Sequence, residues 1–209
     1  MIEPISDGAL AQLVDVHLEA FKGYMNASIG SAYVRGFLWW FSRRSDGIAL
    51  AAVVDGESVG YVVGAPVGYE RAMSRDLFWV VARSLTLRPW LLFQRRIVNR
   101  LSQRAYKLLR GDRIPSGSVP DLPEPVMSLV GIGVSAAGRG TGVGGALMRE
   151  FESRCLNARM RSMRLSVYST NTAARKLYER AGWSLFVPEG GGDAVYYYRI
   201  LDSVRSRET

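Results

Sequence analysis

Between Gly138 and Gly145 the chain reads Gly-Arg-Gly-Thr-Gly-Val-Gly-Gly, the stretch with the plainest capacity for chemistry. Glycines let backbone N–H groups turn inward, and the start of a following helix adds partial positive charge. Such a loop can wrap a pyrophosphate, and Arg139 adds a full charge. A P-loop would need a Gly-Lys-Ser/Thr ending; Gly144-Gly145-Ala146 stands there instead, and that motif fails. Gly140-x-Gly142-x-x-Gly145 satisfies the dinucleotide fingerprint. The next strand, however, ends at Tyr168-Ser169-Thr170 with no acidic residue for a ribose, and too little chain follows for the rest of such a sheet. Further on, Asn171, Ala174 and Tyr178 have the spacing of one helix face, with a small residue between two polar ones, which leaves a track for a slender ligand. The same residues also suit a helix N-cap at Asn171 and a core aromatic at Tyr178.

Arg139-x-x-Gly142-x-Gly144, preceded by an apolar strand ending at Val134, resembles the pyrophosphate-binding motif of the GNAT acetyltransferases. Asn171-x-x-Ala174-x-x-x-Tyr178-Glu179-Arg180-x-Gly182-Trp183 resembles that family's second signature, and the likeness covers Val126 to Trp183. It implies a mixed α/β (α+β) GNAT fold: a central, mostly antiparallel mixed sheet of about six to seven strands flanked by helices, with an inserted helical pair before the core strand. It also implies acetyl-CoA as cosubstrate, no metal, and N-acetyl transfer to a primary amine. Under that reading, Ile132, Gly133 and Val134 offer backbone groups to the acyl carbonyl and the pantetheine arm. Arg139 and the amides of Gly140, Thr141, Gly142, Val143 and Gly144 hold the pyrophosphate, Asn171 hydrogen-bonds the pantetheine arm, and Tyr178 is the general acid toward sulfur. No general base is singled out: Glu19, Asp121, Glu124 and Ser128 are the polar residues considered for the acceptor side. His17 reads as structural and Cys155 as packing. A looser likeness runs from Ala20-Phe21 through Ile29-Gly30 to Phe37-Leu38 and into the long insertion. It points to members among surface-polysaccharide and amino-sugar enzymes and makes a small amine, an amino sugar first, the expected acceptor. A protein N-terminus or lysine, or an aminoglycoside, is the alternative.

The elements that must position these residues follow from periodicity. A strand near Ile2–Ser6 leads into a helix over about 7–22 with Asp7 as N-cap. An aromatic-rich stretch holds a second helix from Ser31, and Ile48–Val54, Asp55-Gly56 and Val59–Val63 read as a hairpin. Two helices, 71–87 and 88–110, are expected to break at Pro89, followed by a proline-rich loop to Pro125. Val126–Val134 reads as a buried strand that bulges near Gly131 and Gly133. A helix from Ala146, a strand Arg164–Tyr168, a helix Thr172–Ala181 stopped by Gly182, and a strand Ala194–Leu201 complete the order.

With 209 residues, 48% of them hydrophobic, one domain over 1–209 is expected, its helical insertion at about 70–111. Neither a leader-like N-terminus nor an apolar run of membrane-spanning length stands out, so a soluble, cytoplasmic protein is expected. One cysteine and one histidine allow neither an internal disulfide nor a Cys/His zinc site. The net charge of +8 has a single source. From Arg83 to Arg113 nine basic residues (Arg83, Arg88, Arg95, Arg96, Arg100, Arg104, Lys107, Arg110, Arg113) face one acid, Asp112, and elsewhere the two signs balance. The basic face over 89–110 reads first as a solvated helix face. Peripheral contact with an anionic membrane, or a non-catalytic polyanion- or nucleic-acid-binding role, are its functional alternatives, nucleic acid being disfavoured.

Overall fold

The computed structural model describes residues 1–87, 121–188 and 193–201. Its seven-stranded sheet is built from β1 (Ile2–Pro4), β2 (Ile48–Val54), β3 (Glu57–Pro66), β4 (Val126–Val134), β5 (Ser162–Tyr168), β6 (Ser184–Phe186) and β7 (Ala194–Ile200), in the order β1-β2-β3-β4-β5-β7-β6. Every neighbouring pair is antiparallel except β4 with β5. The expected class, a mostly antiparallel mixed sheet with flanking helices, is the one observed. Between β2 and β3, Asp55 and Gly56 both take positive φ, 51° and 81°, as a two-residue hairpin turn matched to strand twist requires.

The described helices are α1 (Leu10–Ala20), α2 (Met25–Ile29), α3 (Ser31–Ser42), α4 (Tyr69–Asp76), α5 (Phe78–Leu87), α6 (Val143–Asn157) and α7 (Thr172–Arg180). α3 folds as it does because Tyr33, Val34, Phe37, Leu38 and Phe41 form one apolar stripe, all buried. With Leu10 and Leu13 of α1 they cover the sheet face bearing Tyr61, Val63 and Ala65. On the other face, Leu147, Met148, Phe151 and Cys155 of α6 and Tyr178 of α7 pack against Val62, Met127, Met163 and Leu165. β3 is buried on both sides, and each large side chain removed from water there stabilises the fold by about 1.5–3 kcal/mol. Burial and the neighbouring Glu152 push the Cys155 thiol up, so this cysteine is an inert packing group.

Several local readings need correction. α1 begins at Leu10 without a side-chain cap; Asp7 instead accepts from Arg43 at 2.6 Å, and the nearby Ala9 N–H is met by Ser6 Oγ at 3.3 Å. The helix expected over 71–87 is divided at Leu77, whose ψ of 0° leaves the α region. That buried side chain anchors the bend against α3, close to Gly36. The second inserted helix, its break at Pro89 and its basic face lie outside the described residues. α2 and β6 were not anticipated, being five and three residues long and too short to carry a period. Among the described residues no helix is long and apolar enough to cross a membrane.

Candidate active site

β4 and β5 are hydrogen-bonded for only three pairs, Val126↔Ser162, Met127↔Met163 and Ser128↔Arg164. From there β4 continues along β3 to Val134↔Gly60, whereas β5 continues along β7 to Tyr168↔Ala194. The parallel pair therefore opens like a V, and from Leu129 to Val134 β4 has no ladder partner on its β5 side. The opening begins at a bulge: Val63 faces Gly131 and Gly64 faces Leu129, so Val130 is the extra residue. Past the bulge, Ile132 and Val134 pack toward α6 and α7. Gly133 is backed by Tyr61, whose ring would lie 2.7 Å from a Cβ there, so only glycine fits this close approach.

The open end of the V meets the glycine loop. Ser135 Oγ accepts from Gly138 N–H across a short 3₁₀ turn, Ala136–Gly138, and Thr141 Oγ1 donates to the Gly138 carbonyl at 2.8 Å. Gly140 and Gly142 take φ of 80° and 88°, and the space a Cβ would fill is open at both. Gly142 is the N-cap of α6 and no side chain caps that helix, so its first amides point outward as an anion site. Arg139 lies on this loop, 55% exposed, with Nε donating to the Val134 carbonyl at 3.3 Å and Nη2 3.5 Å from the Glu19 carboxylate. Glu19 also accepts from Ala136 N–H at 2.9 Å. The loop and helix terminus thus fit a pyrophosphate, with Glu19 holding the arginine beside it.

At the wall opposite, Asn171 caps α7: its Oδ1 accepts from Ala174 N–H at 3.2 Å. Its amide is not used by the cap and donates to Tyr24 Oη at 3.2 Å. Tyr24, on the turn between α1 and α2, lies edge-on to Phe21 and 5.4 Å from the ring of Tyr168. Tyr178 is 5% exposed, its ring tilted against those of Trp183 and Tyr197. Burial, then the neighbouring Tyr24 and Tyr197, hold its hydroxyl well above the ordinary phenol range, so it stays protonated through neutral pH. Tyr61 is raised in the same way by burial and by Tyr178. The phenols of Tyr24, Tyr61 and Tyr178 accordingly gather around the splay.

His17 supports this group from beneath. Its Nδ1 is 2.5 Å from Tyr61 Oη, its ring stacks on Phe21 at 4.6 Å, and its Nε2 is buried without a hydrogen-bond partner. A buried unpaired N–H costs more than an unpaired lone pair, which assigns the proton to Nδ1 and makes the imidazole the donor to Tyr61. Burial lowers His17 from 6.5 to about 4, so it is neutral at pH 7 and poorly suited to act as a base. The folded state therefore binds this proton more weakly than the unfolded chain. The stability tied to it is whole above pH 6.5 and is lost as the pH falls toward 4, by about 3 kcal/mol over the window. Urea unfolding should show His17→Phe losing much less stability than the parent between pH 7 and pH ~4.5; parallel losses would assign the acid sensitivity to carboxylates instead.

The sequence profile described as the acetyltransferase (GNAT) family matches residues 99–183. Among solved structures, SsHAT is 20% identical with a TM-score of 0.68, over 96% of this chain and 97% of that one. The PaiA N-acetyltransferase of Thermoplasma acidophilum, solved in complex with coenzyme A, is 14% identical with a TM-score of 0.60, over 96% and 98%. The ribosomal-protein-alanine N-acetyltransferase of Brucella melitensis is 14% identical with a TM-score of 0.60, over 96% and 99%. Residues 99–183 thus match the GNAT acetyltransferase family, and the fold of the chain is the GNAT fold. No curated protein matches the sequence, and at these identities the solved structures share its fold.

Within the GNAT fold the residues picked from sequence fall into one connected region. Ile132, Gly133 and Val134 line the opening of β4, Arg139 to Gly144 form the loop at its mouth, and Asn171 and Tyr178 lie on α7 across from them. The four polar residues considered for the acceptor side do not gather. Asp121 and Glu124 are exposed at the closed end of the V, and Ser128 stands in the ladder between Ala65 and Arg164. Only Glu19 reaches the loop, where Ala136 and Arg139 engage it. Tyr24, Tyr61, Phe21 and Tyr168 were missed as site residues. They are ordinary apolar-position aromatics in sequence, and only tertiary contact brings them to the splay.

Proposed function

We propose that this GNAT chain transfers an acetyl group from acetyl-CoA to a primary amine of a small acceptor, an amino sugar first, through one domain spanning 1–209. The observation that carries the reading is the unpaired edge of β4 running directly into an uncapped helix N-terminus, which offers one continuous track of amides for an extended chain ending in a pyrophosphate. Acetyl-CoA supplies an activated acyl carbonyl when bound. Amides past the bulge donate to the carbonyl oxygen as it gains charge. Arg139 and the first amides of α6 neutralise the pyrophosphate. The Asn171 amide exchanges Tyr24 for the pantetheine arm, and Tyr178 gives its proton to the departing sulfur, its burial keeping that proton in place until then. The acceptor must arrive as the free amine; with His17 clamped and neutral, water takes the proton the nitrogen sheds after attack, and solvent returns one to Tyr178 once the thiol has left.

Phe21, Tyr24 and Tyr168 give the acceptor side flat apolar walls carrying hydroxyl and amide groups at their rims, which supports a ring-shaped polyol amine. The test is thermal unfolding with acetyl-CoA, using NADH and ATP as controls. At a hundredfold excess over the dissociation constant, binding adds about 2.7 kcal/mol, a midpoint rise of roughly 5–10 °C for a domain of this size. A rise with acetyl-CoA alone supports the donor. An equal rise with NADH or ATP, or none with any, overturns it. Amino sugars, an N-terminal peptide, a lysine peptide and an aminoglycoside, assayed by free thiol release, then separate the acceptor classes.

A further inference from the structure

Two arginines stand on the described strands, and their surroundings differ. Arg199 of β7 is met by Glu152 of α6 at 2.8 Å and donates to the Ala181 carbonyl. Arg164 of β5 faces the other way. Its neighbours Met163 and Leu165 lie in the core beneath α6, so alternation along the strand puts Arg164 on the opposite sheet face, with Tyr168. There it is half-buried, and among the described residues it makes no hydrogen bond, ion pair or ring contact. β4, β5, β6 and β7 contain no aspartate or glutamate, and the acids beyond their ends, Asp121, Glu124 and Asp193, are exposed and do not pair with it. A guanidinium held part-way out of water with its donors unspent is costly unless a negative group meets it.

The sheet register locates that group. Ser128↔Arg164 is the last rung before β4 and β5 part, so the arginine stands at the closed end of the V. Across from it on β7 is Tyr198, and Tyr196 and Phe186 occupy the next rung of the same face. These three rings are half-buried and belong to neither described core cluster. Further along the same face Tyr168 meets the ring of Tyr24 at 5.4 Å, on the wall already given to the acceptor. From Ser128 to Gly131, where the amides past the bulge begin, is about 10 Å along β4, a gap that one sugar ring bridges with its amine on one side and a charged group on the other. We propose that Arg164 receives an anionic group, phosphate or carboxylate, carried by the acceptor across its ring from the amine, with Tyr196, Tyr198 and Phe186 as the floor beneath. This rests on the acetyl-transfer reading and narrows its acceptor to an acidic amino sugar. The guanidinium fork meets two oxygens of either anion at once, whereas a neutral amino sugar leaves it unpaired.

The test compares glucosamine, glucosamine 6-phosphate and galactosaminuronic acid as acceptors, by free thiol release, in the parent, Arg164→Gln and Arg164→Lys. The parent, which needs no variant to fold, should favour an acidic sugar over glucosamine by about tenfold or more in kcat/KM, and the two acidic arms tell phosphate from carboxylate. Arg164→Gln should erase that preference through KM at an unchanged melting temperature and acetyl-CoA affinity, and Arg164→Lys should restore part of it. Equal use of the three sugars overturns the proposal, as does a preference that survives Arg164→Gln. A loss of acetyl-CoA affinity in Arg164→Gln also overturns it, by giving the arginine to the donor. Thermal unfolding keeps the two readings apart. A protein that acetyl-CoA stabilises, but that neither acetylates the acidic sugars nor binds them in calorimetric titration with coenzyme A present, loses this inference and keeps its donor. One that acetyl-CoA does not stabilise loses the acetyl-transfer reading, and this inference with it.

Discussion

Tyr178→Phe is expected to leave the dissociation constant for acetyl-CoA unchanged and to slow acetyl transfer by about 10²- to 10³-fold, the usual worth of a positioned proton donor. The ring is retained, so the contacts with Trp183 and Tyr197 and the burial against α6 survive, and the loss of one buried hydroxyl costs stability on the order of 1 kcal/mol. Thus the effect should appear in kcat, with little change in KM for the donor. The sign of the pH dependence follows from the same burial. Because the Tyr178 hydroxyl is held above the ordinary phenol range, the parent should show no fall in rate from deprotonating this group between pH 7 and pH ~9.5. Single-turnover measurement in the parent and variant separates chemistry from product release. A variant with the parent's rate would remove Tyr178 as the acid and turn attention to Tyr24, whose hydroxyl is hydrogen-bonded to Asn171 at the N-terminal end of α7.

What could be read before the structure, and what could not, divides along sequence distance. β2 with β3, the strand Val126–Val134 and the α6 and α7 motifs are each written within a few residues: a turn at Asp55-Gly56, an apolar run, a glycine loop, an N-cap with a stop at Gly182. Local chemistry determines these, and their order places Arg139, Asn171 and Tyr178 along one path. The Asn171 reading as a cap and the reading as a ligand group need not compete, because the cap uses Oδ1 and leaves the amide to donate elsewhere, here to Tyr24 Oη. The aromatic cluster is different. His17, Phe21 and Tyr24 come from α1 and the turn after it, Tyr61 from β3, and Tyr168 from the end of β5, and no spacing within one element marks them as partners. Asp7 misled for a related reason. It has the composition of a cap, yet a tertiary partner, Arg43 on the residue after α3, claims its carboxylate. The bend at Leu77 is likewise a tertiary decision: sequence periodicity continues through it, and packing against α3 does not.

Arg139→Glu should abolish measurable acetyl-CoA binding, a rise in dissociation constant of more than about 10²-fold, while the protein stays folded. Arg139 is more than half exposed, and its partners are the Val134 carbonyl and the Glu19 carboxylate at the mouth of the V, so the fold does not depend on it. Its loss removes a charge-assisted contact to the pyrophosphate, and the new carboxylate then stands beside Glu19, placing two negative charges where a dianionic group must settle. The salt dependence tells this electrostatic account from a collapsed loop. Parent affinity should fall as ionic strength rises, because an attraction is being screened. Residual binding to the variant should improve with salt, because a repulsion is. Glu19→Gln provides the converse, removing the competing carboxylate while its amide oxygen can still accept from Ala136 N–H; donor affinity should rise by several-fold at low salt. Calorimetric titration of the three proteins at two salt concentrations measures all of this at once. If Arg139→Glu bound acetyl-CoA like the parent, the pyrophosphate would have to rest on the amides of the α6 terminus alone, and the arginine would be a partner of Glu19 that fastens α1 to the loop.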